Sequence, residues 1–204
     1  ICLVGSEMCI RDRPEFSSLF LNGGAHLQHH YLFNAAPYKG SNKNPTWYIE
    51  DEKDPLLEGL KSYDTLVQQI LDLKGNPRVF IITGLHQTPV EQPVFYWRLK
   101  DHRRFLNEID VSYKDVQARM SRDFLVTFED ENQAEEAERK LASCIGKDGL
   151  YLFEEIENRG TSLFVTLTYP RDISEGFAVE FYGGSIEDFQ SYVGFVALKN
   201  GEHD

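Results

Sequence analysis

The chain has 204 residues, of which 41% are hydrophobic and 26% charged, so it can bury one core or one core with a small appendage. Its net charge of −12 argues against nucleic acid as a partner, because phosphate contacts need clustered Lys and Arg. No stretch approaches the roughly 20 apolar residues that cross a bilayer. We expect a soluble protein without a membrane span, with the cytoplasm as the favoured compartment.

The two ends of the chain predict a fragment of a larger protein. Residues 1–13 lack the features of a secretion signal. Residues 3–12 are instead similar to one reading frame of a transposase adapter used in DNA library preparation. We therefore expect residues 1–13 to be non-native and to pack poorly, the alternative being a genuine strand at residues 1–4. At the other end, the chain stops six residues after a predicted strand at 193–198.

The first half of the chain predicts one helix followed by one buried strand. Residues 16–20 are apolar and predicted extended, and residues 34–53 read as a loop. Asp54 and Pro55 are an N-cap acceptor and a proline suited to the first helical position, so a helix is predicted from there to about Leu73. Residues 79–82 are a continuous apolar run, as in strands that are covered on both faces.

The second half predicts a small α+β unit, of ferredoxin-like type, inserted in or docked on the main sheet. The periodicity and turn signals predict strands at 95–99, 123–128, 150–156 and 162–169, helices at 101–109 and 130–143, and a short helix capped by Ser185. The run 193–198 has the same unbroken apolar character as 79–82. We expect these two strands to lie in one sheet, parallel to each other, with 79–82 central.

Histidines are the candidate ligands of a metal site. His26, His29 and His30 fall within five residues, and on a helix the first would share a face with the other two. His86 follows the predicted strand 79–82 and His203 follows 193–198, at the strand ends where α/β proteins assemble sites. The alternative is a polar helix start whose histidines cap, stack or face water, with His86 as a structural histidine in a loop.

Other residues have less specific patterns. The basic and aromatic run 96–104 suits an anionic ligand, but such a run is more often an amphipathic face. Arg119 and Arg122 are expected to pair with the many acids. Cys2 and Cys9 lie in the suspect N-terminal stretch, which leaves Cys144 as a buried thiol and excludes a disulfide framework.

Together these segments resemble the alkaline phosphatase superfamily, in its branch of type I phosphodiesterases, nucleotide pyrophosphatases and sulfatase-like proteins. The resemblance covers residues 15–88 and 193–204. The features that carry it are residues 19–21 leading to Gln28 and His29, then Tyr63 and Asp64, then residues 79–83 ending at His86. It implies an alkaline-phosphatase-like α/β sheet with helices on both faces, interrupted by the α+β region 89–192. Residues 14–88 and the truncated return strand 193–204 would belong to this core.

The resemblance implies a metal-dependent hydrolase acting on a small phosphate or sulfate ester, with a divalent metal, zinc being favoured. His29, His86 and His203 fall at the family's histidine positions, and we expect them to converge, with His26 and His30 as substitute ligands. Ala25 and Leu85 stand where the family has metal-binding aspartates. The family's nucleophile lies in an N-terminal half that has no counterpart here, so the fragment is expected to be inactive.

Two other hypotheses stay open. The first is a non-catalytic relative of the same fold that acts as a binding or interaction protein, which the missing aspartates favour. The second makes residues 119–170 an independent ferredoxin-like regulatory or RNA-binding module. The acidic balance and the lack of an aromatic RNA-binding strand signature count against RNA.

Overall fold

The structure is a computed structural model that describes residues 16–75, 78–83 and 86–203. Within these residues the chain combines helices with three antiparallel sheets, so it is a mixed α and β protein. The expectations for residues 1–13 lie outside the described residues. The helices are α1 (Gly23–Tyr31), α2 (Pro55–Leu71), α3 (His102–Glu108) and α4 (Glu131–Ala142). The strands are β1 (Gln87–Leu99), β2 (Asp115–Ala118), β3 (Asp123–Thr127), β4 (Ile145–Gly146), β5 (Glu155–Asn158), β6 (Ser162–Thr166), β7 (Val179–Phe181), β8 (Gly184–Ile186) and β9 (Val193–His203).

The helices α2, α3 and α4 begin at the positions where the sequence predicts a helix to start, each directly after an aspartate. Asp54 accepts a hydrogen bond from the amide of Leu57 at the start of α2, with Pro55 at the first helical position. Asp101 and Asp130 cap α3 and α4 in the same way. These contacts satisfy amides that have no partner inside a helix, which is why each helix begins there.

β1 and β9 form a two-stranded antiparallel ribbon that runs from the pair Gln87–His203 to the pair Leu99–Val193. The predicted strand at 193–198 is therefore confirmed and longer than expected. Its predicted parallel pairing with residues 79–82 is wrong. The true partner of β9 is the neighbouring segment of opposite direction, and no strand of the described residues is parallel to it.

The predicted central strand at 79–82 is also wrong. These residues have no regular secondary structure, and Phe80 and Ile82 are 76% and 87% exposed. An apolar run indicates which side chains favour burial, but a strand forms only where other segments supply backbone partners and cover. In the described part of the chain no segment does so for residues 79–82.

Residues 102–192 contain helices and antiparallel strands, within the region 89–192 for which an α+β unit is predicted. Its ferredoxin-like type stays a prediction. β2, β3, β6 and β5 make a four-stranded antiparallel sheet in that order, and α4 packs against it through its buried face of Ala134, Ala137 and Leu141. The predicted hairpin loop between β5 and β6 is confirmed, with Gly160 at a φ of 80° that favours glycine. Ser185 does not cap a helix, because it lies in β8, which pairs with β7.

The main core lies between this four-stranded sheet, its helices and one face of the ribbon. Phe105, Phe124, Tyr169 and Phe189 are its largest fully buried side chains. Cys144 is buried in the same core as a free thiol, as predicted. No helix in the described ranges is long and apolar enough to cross a membrane.

The N-terminal segment attaches to the ribbon through aromatic contacts. Trp47 and Tyr48 both pack edge-to-face on Phe195 of β9, at ring-centroid distances of 4.9 and 5.5 Å. Tyr48 also stacks on Tyr31 at the end of α1. Aromatic pairs in these geometries are stabilising beyond their buried area, so they fix α1 beside β9.

Candidate functional site

The histidine-rich helix α1 lies on the ribbon with its start held by α2. The side chain of Asn22 makes no capping hydrogen bond, and the amide of Gly24 instead donates to the Tyr63 hydroxyl at 2.6 Å. His29 and His30 occupy the last turn, where the helix dipole favours groups that can carry positive charge. The end of α1 therefore brings two of the predicted ligands to β9.

His29 is fixed by a backbone carbonyl. Its Nδ1 lies 2.8 Å from the carbonyl oxygen of Gly201. Because a carbonyl oxygen only accepts hydrogen bonds, Nδ1 must carry the hydrogen, and in the neutral ring Nε2 is then unprotonated. The hydrogen bond thus sets both the orientation of the ring and the tautomer that a metal ligand needs.

The free nitrogen of His29 faces His203, which is 174 positions away in the chain. The two Nε2 atoms are 3.1 Å apart, and the rings are nearly perpendicular, at 89°. Two of the three histidines that were expected to converge, His29 and His203, are therefore in contact. In the absence of a cation the contact is a hydrogen bond in which the Nε2–H of His203 donates to His29.

His86 lies at the same end of the ribbon. It immediately precedes Gln87, whose Cα is paired with that of His203, and its side chain is exposed. The backbone of His86, the third predicted ligand, is thus one position from Gln87, the strand partner of His203. Its role as a ligand remains a prediction.

His26 and His30 belong to a different part of the interface. Nδ1 of His30 donates to the carbonyl oxygen of Leu198 at 2.6 Å, and the His26 ring stacks over His30 with centroids 6.3 Å apart. The bond from His30 fastens α1 to the middle of β9. The structure thus separates the predicted ligands into the pair His29 and His203, with His86 nearby, and the pair His26 and His30, of which His30 bonds to the ribbon elsewhere.

Gln87 is a site residue that sequence reasoning missed. Its Nε2 donates to the carbonyl oxygen of Ala25 at 3.1 Å, which ties α1 to β1. Among the described residues its Oε1 is buried without a hydrogen-bond partner. The only signal in the sequence is its position directly after His86. Ala25 itself offers a backbone oxygen here where the family resemblance expects a carboxylate.

The described residues supply an incomplete metal site. Across residues 16–75, 78–83 and 86–203, no group of three or more His, Cys, Asp or Glu side chains is arranged to hold a metal ion. The pair His29 and His203 provides two nitrogen ligands. Structural zinc sites take four ligands and catalytic ones at least three from the protein.

Comparisons with known proteins give no relative for this chain. No family model, no curated protein and no solved structure matches it.

Proposed function

We propose that this chain contributes His29 and His203 to the metal site of a metal-dependent hydrolase of phosphate or sulfate esters, with His86 as a further ligand. The observation that carries the proposal is the 3.1 Å approach of the two Nε2 atoms. The proposal also takes up the resemblance to the alkaline phosphatase superfamily, in which histidines at these places bind metal.

The spacing of the two nitrogens suits a shared ion. Two nitrogens that bind one tetrahedral zinc at about 2.0–2.1 Å lie about 3.3 Å from each other. The distance between the Nε2 atoms is 3.1 Å, so a small opening of the pair would admit zinc. Binding through Nε2 of His203 would place the hydrogen of the neutral ring on Nδ1, which is a change of tautomer and releases no proton.

The hydrogen bond from His29 to Gly201 supports the same role. Histidines that bind metals commonly donate their second ring hydrogen to a carboxylate or backbone carbonyl, which fixes the ring and raises its basicity. The 2.8 Å contact of His29 Nδ1 with the Gly201 oxygen has this form. A histidine that merely faced water would need no such constraint.

A bound divalent metal would supply Lewis acidity toward an ester oxygen and charge stabilisation in the transition state. The residues of this chain would orient that metal: His29 through Gly201, and His203 through its place in β9. The resemblance implies a nucleophile outside the matched segments. We therefore expect the chain alone to bind metal without hydrolysing esters.

Zinc titration of the full chain by isothermal calorimetry tests the proposal. We expect one zinc per chain and at least a roughly tenfold loss of affinity in His29→Gln and in His203→Gln. His102→Gln is the matched control, because the ring of His102 packs against Phe124 of β3. Zinc binding that is absent, or equal in all three variants, would contradict the proposal.

A non-catalytic binding protein of the same fold is the second candidate. Ala25 and Leu85 in place of aspartates, together with the lack of a three-ligand group in the described ranges, favour it. The discriminating measurement is hydrolysis of aryl phosphates and aryl sulfates by a zinc-loaded parent protein that supplies the nucleophile which the resemblance implies. Zinc binding without turnover would select this candidate.

A further inference from the structure

The helix α2 packs on α1 with one side of its surface. Leu56 is buried, Leu27 of α1 occupies the space that a Cβ at Gly59 would need, and the Tyr63 hydroxyl accepts a hydrogen bond from the amide of Gly24. Positions 56, 59 and 63 are three and four residues apart, so they lie on one face of the helix. This face is the one that α2 turns toward α1.

A second stripe on α2 is exposed, and it is apolar except at its centre. Its members recur every three and four residues over about four turns, and they are Leu57, Leu60, Asp64, Val67 and Leu71. The three leucines are 45%, 52% and 53% exposed in chain order. We call this set the heptad stripe, because its spacing is that of the a and d positions of a coiled coil. Single exposed leucines are common on protein surfaces, whereas a regular row of them is typical of a helix that packs against another helix.

The carboxylate of Asp64 occupies the centre of the heptad stripe. Neighbouring acids have partners: Glu58 pairs with Lys61 at 2.7 Å, and Asp72, just beyond the end of α2, accepts from Gln68 at 2.9 Å. Among the residues that the structure describes, Asp64 has no hydrogen-bond or ion-pair partner. Covering the leucines on either side would remove water from this carboxylate, and a charge that loses water needs an opposite charge to compensate. A binding partner at the stripe therefore has to supply a cation.

We propose that the heptad stripe of α2 binds an amphipathic helix of a partner protein, with apolar residues at its own a and d positions and a lysine or arginine opposite Asp64. Helices bind such surfaces through a row of apolar anchors at these spacings, and the 17 residues of α2 give a row roughly 25 Å long. One polar position within an apolar seam fixes the register of two helices. Asp64 thus selects both the partner and its alignment.

A second copy of this chain fits the heptad stripe less well. A parallel copy of α2 would bring a second Asp64 opposite the first, and an antiparallel copy would place Leu60 or Val67 there. Neither arrangement supplies a cation. The net charge of −12 adds a general repulsion between copies. Charge complementarity therefore favours a partner helix that is basic at its centre.

Two synthetic peptides test the proposal against the full chain. Each has about 21 residues, or three heptads, with leucine at the a and d positions, and they differ only at the central a position, which is lysine in one and glutamate in the other. In either orientation of the helix pair, this position lies within about one turn of Asp64. By fluorescence anisotropy in EDTA, with peptide too dilute to self-associate, we expect the lysine peptide to bind at least about tenfold more tightly than the glutamate peptide. Salt should reduce that difference.

Variants of α2 locate the binding surface. Leu60→Gln should weaken binding of the lysine peptide about tenfold, because it removes one apolar anchor. Asp64→Lys should reverse the preference between the two peptides. Gln69→Lys is the matched control, since it adds a lysine at an exposed position on the opposite side of α2, and the preference for the lysine peptide should remain.

Four results would overturn the proposal. Three concern the peptides: no binding of the lysine peptide, equal binding of the two peptides by the wild type, or equal binding of the lysine peptide by Leu60→Gln and the wild type. The fourth is a dimer in sedimentation equilibrium that Leu60→Gln converts to a monomer, because a second copy would then occupy the stripe. The first two comparisons use the wild type alone, so they hold even if a variant fails to fold. The measurement needs no metal, which separates its outcome from that of the zinc site.

Discussion

The side-chain amides of Asn44 and Asn200 exchange two hydrogen bonds, each 2.8 Å long, in the interior between the N-terminal loop and β9. Asn200 is fully buried and Asn44 is 5% exposed. The oxygen of Asn200 also accepts from the amide of Phe33, and Asn44 donates to Asn34. This network fastens the segment after α1 to the residue that precedes Gly201.

Removal of one member of this amide pair should destabilise the protein. Asn200→Ala removes the donor to Oδ1 of Asn44 and the acceptor for the amide of Phe33, both in a buried position, which costs about 1–3 kcal/mol. Urea unfolding measures the change, with the exposed Asn132→Ala as control, expected within about 0.5 kcal/mol. The double variant Asn44→Ala/Asn200→Ala should cost less than the sum of the single changes. Strict additivity would show that the pair does not act as a unit.

A side chain at Gly201 should crowd α1, which lies close to this position. An added Cβ would be 2.8 Å from Oε1 of Gln87 and 3.2 Å from the backbone oxygen of Gln28. We expect Gly201→Ala to reduce the free energy of unfolding by about 1–3 kcal/mol and to weaken zinc binding, since α1 must move away with His29. Gly194→Ala in the same strand is the control: its nearest neighbour would be Lys100 at 3.7 Å, an ordinary contact. Similar losses in both variants would refute the close-approach argument.

The stability of the protein should decline at mildly acid pH because of His102. Its pKa in the folded protein is lowered from 6.5, first by burial and then by Arg98, so the unfolded chain binds a proton more readily. The free energy of unfolding therefore falls as the pH drops from about 6.5 through the folded pKa. Urea unfolding between pH 5 and 8 should show a flatter dependence for His102→Gln. Arg98→Gln should raise the pKa of His102 in an NMR titration, and an unchanged pKa would contradict the assigned cause.

Cys144 should react slowly with thiol reagents in the folded protein. The side chain is fully buried, and burial raises its pKa to about 12, so almost no reactive thiolate exists at neutral pH. In a Cys2→Ser/Cys9→Ser background, we expect labelling by an aromatic disulfide to be negligible until urea unfolds the chain. Fast labelling under native conditions would mean that the core around Cys144 opens.

The starts of the helices were predictable because they depend on neighbouring residues. Asp54, Asp101 and Asp130 each accept a hydrogen bond from an amide three positions ahead. Such a contact is complete within one helical turn and needs no help from the rest of the chain. The hairpin around Gly160 was predictable for the same reason, because its conformation is decided within a few residues.

The partners of the strands were not predictable in this way. Residues 79–82 and 193–198 have the same unbroken apolar pattern, yet the side chains of residues 80–82 are exposed, whereas residues 193–198 lie in β9. The pattern indicates that the side chains favour burial. It does not indicate which distant segment pairs with the strand, or in which direction. Ser185 likewise has the residue type of a helix cap, but pairing of β8 with β7 decides its conformation.

For the candidate site, the amino-acid sequence by itself determined which side chains could bind a metal, because ligand chemistry belongs to the residue type. Only the tertiary structure decided that His29 meets His203 while His30 bonds to Leu198. These contacts depend on how closely α1 approaches β9. The absence of a side chain at Gly201 permits the close approach, and the buried hydrogen bonds between Asn44 and Asn200 stabilise it. These contacts join residues more than 150 positions apart, and their formation depends on packing summed over the whole chain rather than on any local pattern.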